Sequence, residues 1–168
     1  MCNIIFGLPQ GSILGPILFN IYINDIFFFL EKAQIANFAD DTTPYVVGTS
    51  IDILTSALEA DANILNKWFS VNYLKLNTDK CHLLISNHIQ STFVSVGNDI
   101  IECQNEVKLL GVVIDNKLNF HQHVTNMCKK ANQKLHALAR ISKFINNNKL
   151  RIVMKAFIES QFAYCPLI

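Results

Sequence analysis

Two adjacent acids sit between two β-prone runs. Ile35-Ala36-Asn37-Phe38-Ala39 leads into Asp40-Asp41, and Thr43-Pro44-Tyr45-Val46-Val47 follows at once. Such a pattern folds as strand, tight turn, strand, with the acids at the tip. Adjacent like charges repel by roughly 4 kcal/mol at ~4 Å and an effective dielectric of about 20. A bare tip in water relieves this by splaying the side chains. A divalent cation relieves it by binding, because hard cations such as Mg²⁺ take carboxylate oxygens. The plain alternative is a turn that uses Asp for its backbone tolerance. The pair alone does not choose between the two.

The chain has 168 residues, one domain's worth or one and a small piece. It is 51% hydrophobic, with a mean hydropathy of +0.27, so apolar material for a core is ample. Cys2, Cys81, Cys103, Cys128 and Cys165 are widely spaced and form no Cys-x-x-Cys. That spacing is expected of reduced thiols in an intracellular protein. His121, His123 and Cys128 match no standard zinc-finger spacing and read as the polar start of a helix. The run from Ile13 to Leu30 is interrupted by Pro16, Asn20, Asn24 and Asp25, so no membrane span is expected. No cleavable targeting peptide is expected at Met1.

Charge is unevenly divided. Residues 1–128 carry six Lys/Arg against twelve Asp/Glu, a net −6, whereas residues 129–168 carry eight against one, a net +7. Acids can hold metals and bases can hold a polyanion's backbone. The plain reading of the basic segment is a solvated helix face.

Along the chain, Phe6-Gly7-Leu8-Pro9-Gln10-Gly11-Ser12 forms a glycine-rich turn that lets something approach the backbone closely. It opens into a helix-period run in which Leu14, Ile17, Leu18, Ile21, Asp25 and Phe28 share a stripe, read as a buried helix begun by Pro16. After the acid hairpin, Thr49 or Ser50 is a suitable N-cap for a helix with Leu54, Leu58, Leu65 and Trp68 on one face. Asp52, Glu59, Asp61 and Lys67 fall largely off that stripe, so the helix needs no functional explanation. Strands are expected at 81–85, 93–96 and 100–103, and the most strand-like stretch is Val107–Ile114, where Gly111 suggests a bulge or a close neighbour. From His121 the pattern is helical, broken at Asn146-Asn147-Asn148, with Lys129, Lys130, Lys134, Arg140 and Lys143 off the apolar stripe.

The succession Leu8-Pro9-Gln10-Gly11-Ser12-Ile13-Leu14-Gly15-Pro16, Asn20-Ile21-Tyr22-Ile23-Asn24-Asp25-Ile26 and Phe38-Ala39-Asp40-Asp41-Thr42 resembles the central palm motifs of reverse transcriptases of LINE-type (non-LTR) retrotransposons. Trp68 with Leu74-Lys75-Leu76-Asn77 and Lys80 resembles the following helix and strand motif. Lys108-Leu109-Leu110-Gly111-Val112 resembles the primer-grip hairpin. The likeness covers nearly the whole chain, and the long Pro-Gln-Gly run ahead of the acid pair makes it specific.

The resemblance implies an α+β fold. A polymerase palm-like antiparallel sheet with packed helices would occupy residues 1–118, and a basic, helical, thumb-like region residues 119–168. It implies that Asp40 and Asp41 are catalytic and hold the metal, Asp40 as the metal-binding carboxylate and Asp41 as its supporting neighbour. Pro9, Gln10 and Gly11 would line the nucleotide and template pocket. Lys80, with Lys75 as second choice, would lie near the incoming triphosphate. Phe38, Ala39, Leu110 and Gly111 would lie near the primer. Partners would be an RNA template, a DNA primer and dNTP. The cofactor would be Mg²⁺, with Mn²⁺ as the alternative, as two ions ~3.5–4 Å apart. The family carries a further metal-ligating Asp on a strand before the Pro-Gln-Gly loop. Only Met1 to Phe6 precede that loop here, so the expectation is a partial domain without fingers or first catalytic strand, inactive as it stands. The alternative is a remnant that binds nucleic acid through its basic helices.

Overall fold

A computed structural model of the chain describes residues 11–87 and 92–165. It is mixed α and β, with small, mostly antiparallel sheets, and it divides into two compact units: Met1–Cys81 with Ser91–Glu102, and His82–Gln90 with Cys103–Ile168.

In the first unit, α1 (Gly15–Ile23) runs into a 3₁₀ turn (Asn24–Phe28). Strands β1 (Gln34–Phe38) and β2 (Asp41–Tyr45) form an antiparallel hairpin, and α2 (Ile51–Val71) follows. Strand β4 (Phe93–Val96) pairs antiparallel with residues 99–102 of β5 (Asp99–Gln104). The core is Ile23, Ile26, Leu65 and Trp68, with Phe19, Leu30, Ile35, Phe69 and Leu74 packed against it. Full burial of one such side chain contributes about 1.5–3 kcal/mol. Trp68 meets Phe69 edge-on at 5.5 Å between ring centroids.

The buried stripe of the first helical region is therefore Phe19, Ile23, Ile26 and Leu30. This corrects the sequence reading of α1 as a helix buried along Leu14, Ile17, Leu18, Ile21 and Phe28. Ile17 is 56% exposed, Ile21 68% and Phe28 82%. The segment is apolar nearly all round, so periodicity could not select the face that finds a partner.

Helix α2 is fastened to both its neighbours by side chains. Asn63 accepts the Gly97 N–H at 2.8 Å and donates to the Ser95 carbonyl at 3.0 Å, which pins the turn between β4 and β5. Gly97 has φ +63°, which favours glycine, and a Cβ there would stand 2.8 Å from the Asn66 side-chain amide, which would have to shift. Asp61, read from the sequence as off the packing face, is instead 1% exposed. It shares a face with Ala57, Leu65 and Trp68.

In the second unit, β3 (Leu83–Leu84) pairs parallel with Cys103 and Gln104. Strands β6 (Glu106–Leu109) and β7 (Val112–Asp115) form an antiparallel hairpin. The stretch Val107–Ile114 is thus two strands about a turn, not one strand. Helix α3 (His121–Ile141) packs on β7, then α4 (Asn147–Met154) continues through a π-type turn (Lys155–Glu159) into the short α5 (Ser160–Phe162). The Asn146 side chain caps α4 by accepting the Lys149 N–H at 3.0 Å. On α3, Ala131 and Leu138 are buried, whereas Val124, Leu135 and Ile141 are exposed.

His123 is buried, and its Nδ1 accepts the Val113 N–H at 3.2 Å, so it joins α3 to the hairpin, while His121 and Cys128 are exposed. Among the described residues Cys81, Cys103, Cys128 and Cys165 are free thiols. Burial pushes the Cys81 pKa up, which keeps it protonated. No helix among the described residues is long and apolar enough to cross a membrane.

Two outcomes are expected. Replacing Ile17 and Ile21 with Gln should change stability by no more than about 0.5 kcal/mol and reduce self-association, measured by denaturation and sedimentation. A loss above about 2 kcal/mol would mean these side chains are buried.

Asp115 gives the second. Desolvation pulls its carboxyl up, but the N–H groups of Asn119, Lys117 and Phe120 outweigh it and hold the pKa below the ordinary 3.8. A carboxyl with a depressed folded pKa contributes stability in full above its unfolded value and loses it as pH falls through the folded one. Denaturation midpoints should therefore drop more steeply below pH 3.8 in the wild type than in Asp115→Asn. Parallel profiles would contradict this.

Candidate active site

The acid pair sits on a hairpin whose register is Phe38 opposite Asp41. Two residues, Ala39 and Asp40, therefore form the turn. Ala39 has φ +54° and Asp40 does not share the positive sign, the pattern of a type II′ turn. Glycine is the usual residue at that first position, and an L-residue there costs roughly 1–2 kcal/mol. Strain of this kind gathers where structure serves function.

Residues opposite one another on an antiparallel ladder share a face. One face carries Gln34, Ala36, Phe38, Asp41, Thr43 and Tyr45, and the other carries Ile35, Asn37, Thr42 and Pro44. Ile35 packs on the core, so the second face looks inward. Asp41 therefore stands on the outer face, beside Asp40 in the turn, and both carboxylates are exposed. The strands are stitched by side chains: Thr42 Oγ1 donates to Asn37 Oδ1 at 2.8 Å, and the Tyr45 hydroxyl donates to Gln34 Oε1 at 2.6 Å. The result is a narrow, internally braced arm ending in two hard oxygen donors. The donor chemistry suits a hard divalent cation. Among the described residues, however, no group of three or more His, Cys, Asp or Glu side chains gathers as a metal site.

The remaining candidate residues are dispersed. Phe38 and Ala39 lie on the acid hairpin itself, and Phe38 is 66% exposed. Gly11 is exposed, with φ +82° and nothing within 4 Å of a Cβ placed there. Pro9 and Gln10 lie outside the described residues. Lys80 ends a 3₁₀ turn (Thr78–Lys80) and is exposed. Lys75 lines an open cleft of about 440 Å³ with Tyr73, Asn98 and Asp99.

Leu110 and Gly111 belong to the second unit and form the turn between β6 and β7. Both have positive φ, +46° and +88°, the pattern of a type I′ turn. The expected bulge is thus a hairpin turn. The Tyr164 hydroxyl donates to the Leu110 carbonyl at 2.5 Å, and a Cβ on Gly111 would lie 3.7 Å from the Tyr164 ring. That spacing is ordinary contact, so the glycine answers to backbone conformation, not to a crowded neighbour.

Sequence reasoning missed Tyr164 and Asp61. Asp61 carried a usable signal, since it falls in phase with Ala57, Leu65 and Trp68. Tyr164 carried none, because its partner is a backbone atom 54 residues away.

Comparison with known proteins bears on what this arrangement serves. The family described as "Reverse transcriptase (RNA-dependent DNA polymerase)" matches residues 3–114. The chain is similar to the RNA-directed DNA polymerase from mobile element jockey of Drosophila melanogaster, 32% identical over 162 residues. That match covers 90% of this chain and 17% of the relative. It is 27% identical to the probable RNA-directed DNA polymerase from transposon X-element of the same fly, covering 89% of this chain and 18% of the relative. It is 26% identical to a retrovirus-related Pol polyprotein from type-1 retrotransposable element R1 2 of Nasonia vitripennis, covering 95% and 42%. The chain thus spans less than half the length of these relatives. No solved structure matches.

The strained turn makes a prediction. Ala39→Gly should raise stability by about 0.5–1 kcal/mol, the relieved strain less the entropy of the added glycine. Urea denaturation checks it, and a loss of stability would mean that Ala39 is unstrained.

Proposed function

Because the chain belongs to the reverse transcriptase (RNA-dependent DNA polymerase) family, of the kind carried by LINE-type, non-LTR retrotransposons, we propose that it supplies the acid hairpin of a polymerase that copies RNA into DNA. The observation that carries this reading is the braced arm with Asp40 in its turn, Asp41 beside it and both carboxylates exposed. Residues 1–118 serve as a palm-like part and 119–168 as a thumb-like part.

In this reading Asp40 holds a divalent cation, and Asp41 supports it. Mg²⁺ is the expected ion and Mn²⁺ the alternative. When bound, such an ion makes a primer hydroxyl a better nucleophile and steadies charge on the triphosphate. Pro9, Gln10 and Gly11 lie along nucleotide and template, and Lys80 meets the triphosphate of the dNTP. Phe38, Ala39, Leu110 and Gly111 lie along the DNA primer. Among the described residues no third His, Cys, Asp or Glu joins Asp40 and Asp41, which supports completion of the ligand set by residues of a longer protein and no synthesis by this chain alone.

A second reading keeps only binding. Among the eight Lys/Arg of residues 129–168, Lys129, Lys130, Arg140, Lys143, Lys149, Arg151 and Lys155 are exposed, which suits phosphate contact.

One variant separates the two. Asp40→Asn should weaken Mn²⁺ binding by about tenfold, read by electron paramagnetic resonance, because ligand charge sets affinity for such ions. It should leave binding of an RNA–DNA hybrid unchanged, read by fluorescence anisotropy. That binding should weaken steeply between about 50 and 200 mM salt. Equal Mn²⁺ affinity in the two proteins would overturn the polymerase reading. Hybrid binding indifferent to salt would remove the second.

A further inference from the structure

Asp61 lies on α2, in sequence after both strands of the acid hairpin, yet it holds the loop from which the hairpin starts. Its Oδ1 accepts the Glu31 N–H at 3.3 Å, and its Oδ2 accepts the N–H groups of Lys32 at 2.8 Å and Ala33 at 2.5 Å. Three consecutive backbone donors converge on one carboxylate, which is an anion-binding nest filled from within the chain. Asp61 and Ile26 are the large side chains exposed by less than 2%. A carboxylate is placed so deeply only where its oxygens are hydrogen-bonded.

Gln34, the first residue of β1, follows directly after Ala33. From there β1 rises about 3.4 Å per residue, so five residues carry the chain roughly 17 Å to the turn. An isolated two-stranded hairpin is marginal in water, and this one pairs with no further strand among the described residues. The position of its tip is therefore set by what holds its base and by the packing of β2 against α2. Ile35 supplies an apolar contact there, but such contacts are non-directional. The three hydrogen bonds to Asp61 fix direction.

We infer that Asp61 is a positioning residue for the Asp40–Asp41 pair, a latch that fixes the hairpin's exit from the loop against α2. The inference rests on the polymerase reading only for what the tip is used for. The latch itself stands on the geometry. Asp61→Asn keeps the shape but replaces one acceptor oxygen with a donor that faces an N–H group, so the loop loses at least one of its bonds.

The test uses the full chain and has two readouts. In the wild type, the amides of Lys32 and Ala33 should exchange with deuterium about 100-fold more slowly than open-loop amides. Exchange at open-loop rates overturns the latch without any variant. In Asp61→Asn, exchange across residues 31–45 should accelerate about tenfold more than at Val94 and Val96 of β4. Trp68 emission confirms that the core survives. With the core intact, the Mn²⁺ midpoint should rise several-fold, an effect that loss of mere bulk stability would not produce. Wild-type protein that takes no Mn²⁺ at the hairpin defeats the polymerase reading and leaves the exchange test of the latch in force. Mn²⁺ bound equally by both proteins, with equal exchange at residues 31–45, overturns the inference.

Discussion

One buried carboxylate ties the loop that begins the acid hairpin to α2. Asp61 takes three backbone N–H groups from residues 31–33, and two residues further along the same helix Asn63 holds the β4–β5 turn. Helix α2 is thus a spine to which both hairpins of the first unit are tied by directional bonds. The apolar cluster of Ile23, Ile26, Leu65 and Trp68 supplies most of the cohesion. Cohesion does not fix orientation, however, and an arm only five residues long on each side takes its aim from what holds its base and from the packing of β2 against α2.

The hairpin turns show how local backbone chemistry is set to different tasks. Between β4 and β5, Gly97 has positive φ, and a Cβ there would displace the Asn66 side-chain amide, so backbone conformation and a close neighbour both favour glycine. Between β6 and β7, Leu110 and Gly111 share a positive-φ turn whose carbonyl is capped by Tyr164. At the acid hairpin an alanine takes the positive-φ position. That is the arrangement expected where a turn is selected for what it presents, not for its own stability.

Much of this was legible in the sequence. The β-prone runs around Asp40-Asp41 specified a hairpin, and the recurrence of Leu54, Leu58, Leu65 and Trp68 specified α2. Motif order pointed to the polymerase family that the comparison over residues 3–114 then showed. What could not be read has physical causes. A helix apolar on every side gives no phase, so the buried face of α1 was misassigned. The β-prone pattern of Val107–Ile114 reads as one strand because leucine is not a turn residue by composition, and only the likeness of Lys108–Val112 to a primer-grip hairpin points to the turn at Leu110–Gly111. The phase of Asp61 with Ala57, Leu65 and Trp68 signals its burial, but its bonds to residues 31–33 depend on backbone donors that no pattern of side chains displays.

The charge division gains meaning from these positions. The acidic stretch includes a pair of carboxylates that gain from a cation, and the basic stretch presents exposed Lys and Arg that gain from phosphate.

The most direct measurement is iron-mediated cleavage of the chain. With ascorbate and hydrogen peroxide supplied, Fe²⁺ held at a Mg²⁺ site is oxidised to Fe³⁺ as it splits peroxide into hydroxide and a hydroxyl radical, which cuts the nearest backbone. Ascorbate reduces the iron again, and the cut sites are read by mass spectrometry. The account predicts cuts clustered at residues 38–42 that fade as Mg²⁺ is added. Cuts centred on His121–Cys128, or scattered without regard to Mg²⁺, would contradict it.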